Sequence, residues 1–156
     1  MEKIGVLKFA PVITIDSGAA ISHAVELMQK HDADLLLVTE DGAAVGVLTS
    51  GAVFNQFYLH AGVHYPVVRF HGPSANKELD KQKIEIYKDR LVDFKKVTVK
   101  DLFSPRVKSV RTNQDVSDAV HLMKSLNLRR LVVVDDDDKF IGVLGRKEVL
   151  NSAFKH

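Results

Sequence analysis

The feature that most constrains this chain is that its second half repeats its first half. Three blocks match in the same order: 12–28 with 107–123, 35–38 with 131–134 after one extra residue in the second copy, and 45–48 with 141–144. Ordered matches over roughly forty positions indicate an internal duplication. Neither copy is long enough to bury a good core by itself, so we expect the two copies to pack against each other.

Each copy has the pattern of a small β-α-β-β-α unit. Residues 12–15 are short and β-branched, which is typical of a strand. Apolar residues then recur at helical spacing, as Ile21, Ala24, Val25 and Met28 in the first copy and Val116, Ala119, Val120 and Met123 in the second. An apolar strand, a polar turn and a returning strand follow. The predicted fold class is α+β, with Asn113 or Asp115 capping the second copy's helix.

The segment between the copies is long for a linker. It divides the chain into repeat 1 (1–56), a linker (57–96) and repeat 2 (97–156). In the linker, four apolar residues have the spacing of an amphipathic helix: Ile84, Tyr87, Leu91 and Phe94. Such a helix either covers the core or a sheet edge, or binds a partner, and we expect the first.

Composition excludes several classes of function. The 22 basic and 20 acidic residues give a net charge of +2, which predicts no nucleic-acid partner. No apolar run approaches the ~20 residues of a membrane span, and the N-terminus does not resemble a signal peptide. The chain has no cysteine, which removes disulfides and thiolate sites. We expect a cytoplasmic protein without a membrane partner.

The duplicated elements together resemble a known family. An Ala-x-x-x-Met helix, an apolar strand, an acidic turn and Gly-Val-Leu followed by a helix resemble a cystathionine-β-synthase-type (CBS) domain, and two in tandem resemble a Bateman module. The resemblance implies pseudo-two-fold symmetry, with ligand clefts between the repeats. It also implies regulatory binding of AMP, ADP, ATP or S-adenosylmethionine and pairing into a homodimer that regulates some other protein. It implies no catalytic role.

The second copy carries the better match to the family's nucleotide motif, Gly-h-h-Thr-x-x-Asp, where h is apolar. By resemblance, Glu148 takes the ribose-binding acidic position and Gly145 takes the threonine position. Arg146, at the helix start, and Arg129 and Arg130, before the apolar strand, are candidate phosphate contacts. In the alternative interpretation Glu148 is a first-turn acid favoured by the helix dipole, and the arginines are unrelated surface charges.

The same resemblance predicts an apolar slot for adenine from Val107, Lys108, Val110 and Leu131, whose alternative role is ordinary strand packing. The corresponding residues of the first copy, Val12, Ile13, Thr49 and Ser50, predict a weaker second site. That copy has Ala52 where the carboxylate belongs, and Asp32 and Asp34 would repel a phosphate. We therefore expect the phosphate-bearing ligand in the second copy.

No other motif predicts chemistry. His60 and His64 are four residues apart, with His71 further on, but Gly62 and Pro66 lie among them and no acidic ligand is near. We expect neither a metal site nor catalytic residues. The competing hypothesis to a ligand sensor is a ligand-free dimerisation or partner-docking module, with the linker helix as its docking surface.

Overall fold

The computed structural model describes residues 2–61 and 93–155, without the side chains of His60 and Ala61. Most of the predicted linker helix lies outside these residues, as do His64 and His71. Its last part is described: residues 93–95 are helical, and Phe94 is buried. The Phe94 ring packs edge-on against Phe57, with 5.5 Å between ring centres. At this point the segment covers the core, as expected.

The elements follow one order in both halves. The first half contains a 3-10 turn (Ile4–Val6), β1 (Thr14–Asp16), α1 (Ile21–His31), β2 (Leu35–Glu40), β3 (Ala43–Thr49) and α2 (Ser50–Ala61). The second half contains α3 (Val99–Leu102), β4 (Ser109–Arg111), α4 (Val116–Ser125), β5 (Arg130–Val134), β6 (Phe140–Gly145) and α5 (Arg146–Ala153). The predicted pair of β-α-β-β-α units is confirmed, although α2 runs five residues past the predicted boundary at 56.

Each half forms a three-stranded sheet, in the orders β1-β2-β3 and β4-β5-β6. In both, the first strand is parallel to the second and the third returns antiparallel to it. This is the topology that a strand, a crossing helix and a hairpin produce. Of the two predicted caps for α4, Asp115 is the residue at the N-cap position, and its main-chain N–H donates to Asp118 Oδ2 at 3.1 Å.

The strand register corrects the position of the extra residue. Thr14 pairs with Leu37 and Ser109 pairs with Val132, so Leu37 corresponds to Val132 and not to Val133. The extra residue lies in the second hairpin turn, between the pairs Thr39–Ala44 and Val134–Phe140. The predicted match of 35–38 with 131–134 was wrong by one residue, and a slip of one residue exchanges the two faces of a strand.

The segment that precedes each repeat packs against the other repeat. Ile4 and Gly5 donate main-chain hydrogen bonds to the Gln114 and Thr112 carbonyls at 3.0 and 2.9 Å. In the same way, Val99 and Lys100 donate to the Ala19 and Ser17 carbonyls, both at 2.9 Å. Ile4 is fully buried in the core of the second repeat, and Val99 in that of the first. Each core is therefore completed by a segment from outside its predicted boundaries.

Two glycines allow these crossing segments to lie directly on the sheets. Ala10 pairs with Val143, and Ser104 pairs with Val47. A Cβ on Gly46 would overlap the Ser104 carbonyl oxygen, and a Cβ on Gly142 would overlap the Phe9 ring. The glycine in each Val-Gly-Val or Ile-Gly-Val stretch therefore permits close approach of a second backbone.

Each exchanged segment, one around Ile4 and the other around Val99, also takes part in a contact that perturbs a carboxylate. Lys3 Nζ lies 2.7 Å from Asp115 Oδ1, and this hydrogen bond lowers the pKa of Asp115. In α3 the Thr98 main-chain N–H bonds Asp101 Oδ2 at 2.9 Å, and this bond lowers the pKa of Asp101. Both carboxylates are held in their charged form by a hydrogen bond to that form.

The two sheets meet across a third apolar cluster. Five buried residues form it: Leu35, Leu37, Val47, Val132 and Val143. Val12, Val107 and Phe140 pack against its margin. The helices cover the opposite face of each sheet, since Ala24 and Ala119 belong to the separate cores of their own repeats.

Candidate ligand-binding site

The second repeat brings three of the predicted site residues together where β6 ends and α5 begins. Arg130, the first residue of β5, is paired in register with Gly145, the last residue of β6. Glu148 lies in the first turn of α5. The β5–β6 register and the start of α5 set the main-chain positions of all three residues.

Glu148 closes the start of α5. Its Oε2 accepts the Gly145 main-chain N–H at 2.9 Å, and the contact is partly buried. Glu148 is thus a first-turn acid, as in the alternative to ribose binding, and it also makes a capping hydrogen bond that was not predicted. One carboxylate oxygen is used in this way. Within the described residues, Oε1 has no hydrogen bond.

The arginine occupies the space that a side chain at position 145 would need. A Cβ placed on Gly145 would lie 2.5 Å from Arg130 Nη1 and 2.6 Å from Glu148 Oε2. In the first repeat the corresponding pair is Thr49 opposite Leu35. The residues at positions 145 and 130 are therefore linked, since a threonine at 145 would require the ends of the Arg130 and Glu148 side chains to move.

Arg130 also connects the two repeats. Its Nη2 lies 2.7 Å from Asp34 Oδ2, and its Nη1 donates to the Arg129 carbonyl at 3.1 Å. The Arg130 side chain is 31% exposed and that of Asp34 is 59% exposed. Asp34 was predicted only as a residue that repels phosphate. The sequence signal that could have found the pair is the opposite charge at the residues before the two apolar strands.

The other two arginines have different surroundings. Arg146 Nε donates to the Leu128 carbonyl at 3.2 Å. Arg146 lines a hollow of about 320 Å³ between α4 and α5, together with Val120, Met123 and Leu150. Arg129 is exposed. Glu148 lines a different and smaller hollow of about 180 Å³, beside Lys8 and Lys155. The structure therefore joins Arg130, Gly145 and Glu148, and places Arg146 elsewhere.

Comparison with known proteins decides the family. The family model of the CBS domain matches residues 7–59 and 99–155. These residues make up most of the chain and include both copies of the duplication. The chain belongs to the CBS domain family. The tandem CBS pair predicted from the repeats is confirmed.

Curated relatives of this CBS pair match over part of their length. An uncharacterized protein of Methanocaldococcus jannaschii is 31% identical over 70 residues, which are 45% of this chain and 42% of that protein. The chloroplastic CBS domain-containing protein CBSX2 of Arabidopsis thaliana is 40% identical over 57 residues, which are 36% of this chain and 24% of that protein. The match therefore spans less than half the length of these relatives.

Solved structures agree over nearly the whole chain. CBSX2 in complex with AMP covers 99% of this chain and 98% of its own, with a TM-score of 0.63 and 24% identity. The cytosolic domain of the Mg²⁺ channel MgtE in complex with ATP covers 97% of this chain and 48% of its own, with a TM-score of 0.61 and 18% identity. At these identities the likeness establishes the fold.

The predicted adenine slot divides into two pairs of residues. Val110 and Leu131 are buried in the core of the second repeat, so their side chains have the packing role. Val107 is half-buried at the margin of the inter-sheet cluster. Lys108 is exposed, and its carbonyl accepts the Val132 N–H at 3.0 Å. Of the four, only Val107 and Lys108 present side chains outside the core.

The first repeat of the CBS pair has a different arrangement. Thr49 Oγ1 accepts the Ala52 N–H at 3.2 Å, so here the hydroxyl closes the helix start. Ser50 donates its N–H to the Asp34 carbonyl at 2.8 Å. Val12 packs at the inter-sheet margin, and Ile13 packs against the first core. Ser50 also lines a hollow of about 560 Å³ between α1 and α2.

The helical faces of the CBS pair expose several large apolar side chains. Val25 of α1 and Phe54 of α2 are exposed in the first repeat, as are Val120 of α4 and Leu150 of α5 in the second. Val25 and Val120 had been assigned to the buried stripes of their helices. Among the described residues, no helix is long and apolar enough to cross a membrane, and no group of three or more metal-ligating side chains occurs.

Proposed function

We propose that this CBS pair is a regulatory sensor that binds an adenosine-containing ligand of the AMP, ADP or ATP class beside the second repeat. One observation carries the proposal. The side chains of Arg130 and Glu148 flank Gly145 at the N-terminus of α5. Both would contact a Cβ placed on Gly145. Cation, anion and helix N-terminus together suit a ligand that has both hydroxyls and phosphate.

The chemistry of each group matches one part of such a ligand. A carboxylate accepts hydrogen bonds from the vicinal hydroxyls of ribose, and Glu148 keeps Oε1 for this purpose. The guanidinium of Arg130 can donate charge-assisted hydrogen bonds to phosphate oxygens. The first N–H groups of α5 add partial positive charge beside the phosphate. Val107 and Lys108 would border the adenine end.

Similar proteins support the ligand class. The solved structure of CBSX2 contains AMP, and that of the MgtE cytosolic domain contains ATP. S-adenosylmethionine shares the adenosyl part but has a cationic centre in place of phosphate, so Arg130 disfavours it here. The weaker site at Thr49 and Ser50 has no carboxylate at position 52 and has Asp34 nearby. An anionic ligand therefore prefers the second repeat.

The exposed apolar residues on the helical faces favour a homodimer. Phe54 is 66% exposed and Leu150 is 59% exposed, at the start of α2 and within α5. Large exposed apolar side chains, present here on the helices of both repeats, are typical of an interaction surface. Sedimentation or light scattering of the chain at micromolar concentration tests this, and a monomer would contradict it.

A ligand-free structural module is the second candidate, and one observation favours it. Both key side chains already have partners inside the chain, since Glu148 bonds Gly145 and Arg130 bonds Asp34. In such a module the CBS pair would act only through its surfaces. Ligand-dependent melting separates the two candidates, because a ligand that binds only the native state raises its stability.

Titration calorimetry with AMP, ADP, ATP and S-adenosylmethionine tests the proposal. Glu148→Ala should weaken AMP binding about tenfold or more, the usual loss for a hydrogen bond to a charged group. Asp118→Ala is the matched control, because Asp118 makes the same first-turn hydrogen bond at the start of α4, away from Gly145 and Arg130. Unchanged affinity in Glu148→Ala, or an equal loss in both variants, would contradict the assignment.

A second pair of variants separates the arginines. Arg130→Ala should weaken AMP binding about tenfold. Arg146→Ala removes the same charge from a side chain that lines the α4–α5 hollow, and it should change affinity less than about twofold. Equal losses in the two variants would mean that charge alone matters, and the site would then not be the one at Gly145.

A further inference from the structure

We propose that Asp34 acts as a gate for the phosphate end of the ligand. Its carboxylate is paired with the Arg130 guanidinium when the site is empty, and a phosphate must displace the carboxylate from that guanidinium. This inference rests on the proposed function and deepens it, because it says how the site distinguishes ligands by charge. It also says how occupancy is transmitted, since the Asp34–Arg130 pair joins the first repeat to the second.

The Asp34–Arg130 ion pair is a short, direct hydrogen bond. Arg130 Nη2 lies 2.7 Å from Asp34 Oδ2, which is the length of a charge-assisted hydrogen bond. The Asp34 main chain is fixed as well, because its carbonyl accepts the Ser50 N–H at 2.8 Å at the start of α2. The carboxylate is thus presented from a rigid junction in the first repeat.

The Arg130 guanidinium is held in place by contacts inside the chain. Its Nη1 donates to the Arg129 carbonyl at 3.1 Å and lies over Gly145. The side chain is only 31% exposed. Asp34 already holds Nη2, so an incoming phosphate would meet the carboxylate at the same guanidinium. A phosphate and the Asp34 carboxylate cannot both sit there without mutual repulsion.

The gate acts on charged ligands only. Adenosine has no anionic group, so it can bind beside Glu148 without disturbing the Asp34–Arg130 pair. AMP must break the pair, and doing so removes one link between the repeats. Because Asp34 is 59% exposed, the pair is weak enough for a phosphate to replace it. Binding of AMP, and not of adenosine, then alters how the repeats are joined.

The gate has no counterpart in the other half of the molecule. By the register of the strands, the residue of the first repeat that corresponds to Arg130 is Leu35. Leu35 is buried in the inter-sheet cluster. The duplication therefore has one gated site, on the second repeat.

The test compares AMP and adenosine affinity in the full chain and in Asp34→Asn. The variant should bind AMP about three- to tenfold more tightly, because it removes both the competitor and a nearby negative charge. Adenosine affinity should stay the same. Asp32→Asn is the matched control, because it removes an equal charge two residues earlier from a side chain that has no ion pair among the described residues, at a left-handed position that asparagine tolerates.

Four outcomes are distinguishable. A gain for AMP in Asp34→Asn alone supports the gate. An equal gain in Asp32→Asn, or none in either, overturns the gate while AMP binding by the wild-type chain keeps the proposed function. AMP binding that appears only in Asp34→Asn supports the gate and contradicts the sensor role of the wild type. No binding of AMP or adenosine by any of the three proteins overturns both. Asp34→Ala serves as a second variant if Asp34→Asn does not fold.

Discussion

The two repeats start their final helices in complementary ways. In the first, the Thr49 hydroxyl accepts the Ala52 N–H. In the second, the Glu148 carboxylate accepts the Gly145 N–H. A capping box needs both a hydroxyl at the N-cap and an acid three residues later, and each repeat has kept one half. The helix starts in either case, so stability alone does not require the same residues in both.

The difference has a consequence for charge. Opposite Thr49, the first repeat has the buried apolar side chain of Leu35 and no cation. Where Gly145 stands, the absence of a side chain admits Arg130. Loss of the hydroxyl thus does not leave the second site without a donor, because a guanidinium takes its place. A duplicated fold can specialise one site while the other keeps the structural half of the motif.

The largest effect expected concerns the exchanged segments. Ile4→Ala should lower the free energy of unfolding by about 2–5 kcal/mol, the usual range for a fully buried isoleucine. The loss of amide-exchange protection should appear first in β4–β6, because Ile4 packs in the second core. Val99→Ala is the mirror control and should affect β1–β3 first, with a smaller loss. If Ile4→Ala lost protection first in β1–β3, the packing of Ile4 in the core of the second repeat would be contradicted.

The two crossing glycines should differ. Gly46→Ala should cost about 3 kcal/mol or more, because the new Cβ would overlap the Ser104 carbonyl, which is main chain and cannot rotate away. Gly142→Ala should cost about 1–2 kcal/mol, because the nearest atoms belong to the Phe9 ring, which can move. Urea unfolding measures both. Equal losses would mean that the segments do not cross the sheets as described.

Rebuilding the first repeat's arrangement in the second tests the linked exchange of threonine and arginine. Gly145→Thr should destabilise the chain by about 1–2 kcal/mol, since its Cβ meets Arg130 Nη1 at 2.5 Å. Combining it with Arg130→Leu, which copies the Thr49–Leu35 pair, should restore most of that loss. The thermal midpoints of the single and double variants give the answer. Strictly additive losses would break the comparison.

The smallest effect expected is in the pH dependence of stability. The Lys3 hydrogen bond lowers the pKa of Asp115 from its ordinary value of 3.8. A lowered folded-state pKa means that the contribution is present above pH 3.8 and is lost as the pH falls through the folded value. Lys3→Met should therefore flatten the decline of stability below that pH. Lys8→Met, which removes a neighbouring charge, is the control, and equal flattening would contradict the role of the pair.

Much of the fold could be predicted from local patterns. Apolar spacing gave the helices and strands of both copies, and Asp115 was among the two caps considered. The exchanged segments could not be predicted, because nothing near Ile4 in the sequence indicates that its hydrogen-bond partner is Gln114. The strand alignment was wrong by one residue because Leu-Leu-Leu-Val and Leu-Val-Val-Val match equally well in either register.

The site was also predictable only where it depends on residues that are close in the sequence. Gly145 and Glu148 follow from a motif that is contiguous in the chain. The proximity of Arg130 to both depends on strand register, and its pairing with Asp34 depends on how two distant repeats meet. The direction of Arg146 depends on the packing of α5 against α4, which its sequence neighbours do not specify.

Calorimetric titration of AMP into the wild-type chain gives the number of nucleotides bound per chain. Because the carboxylate at position 148 and the cation at position 130 have no counterpart at positions 52 and 35 of the first repeat, we expect one AMP per chain, and loss of that site in Arg130→Ala. Two equivalent AMP molecules per chain, or full binding in Arg130→Ala, would contradict it.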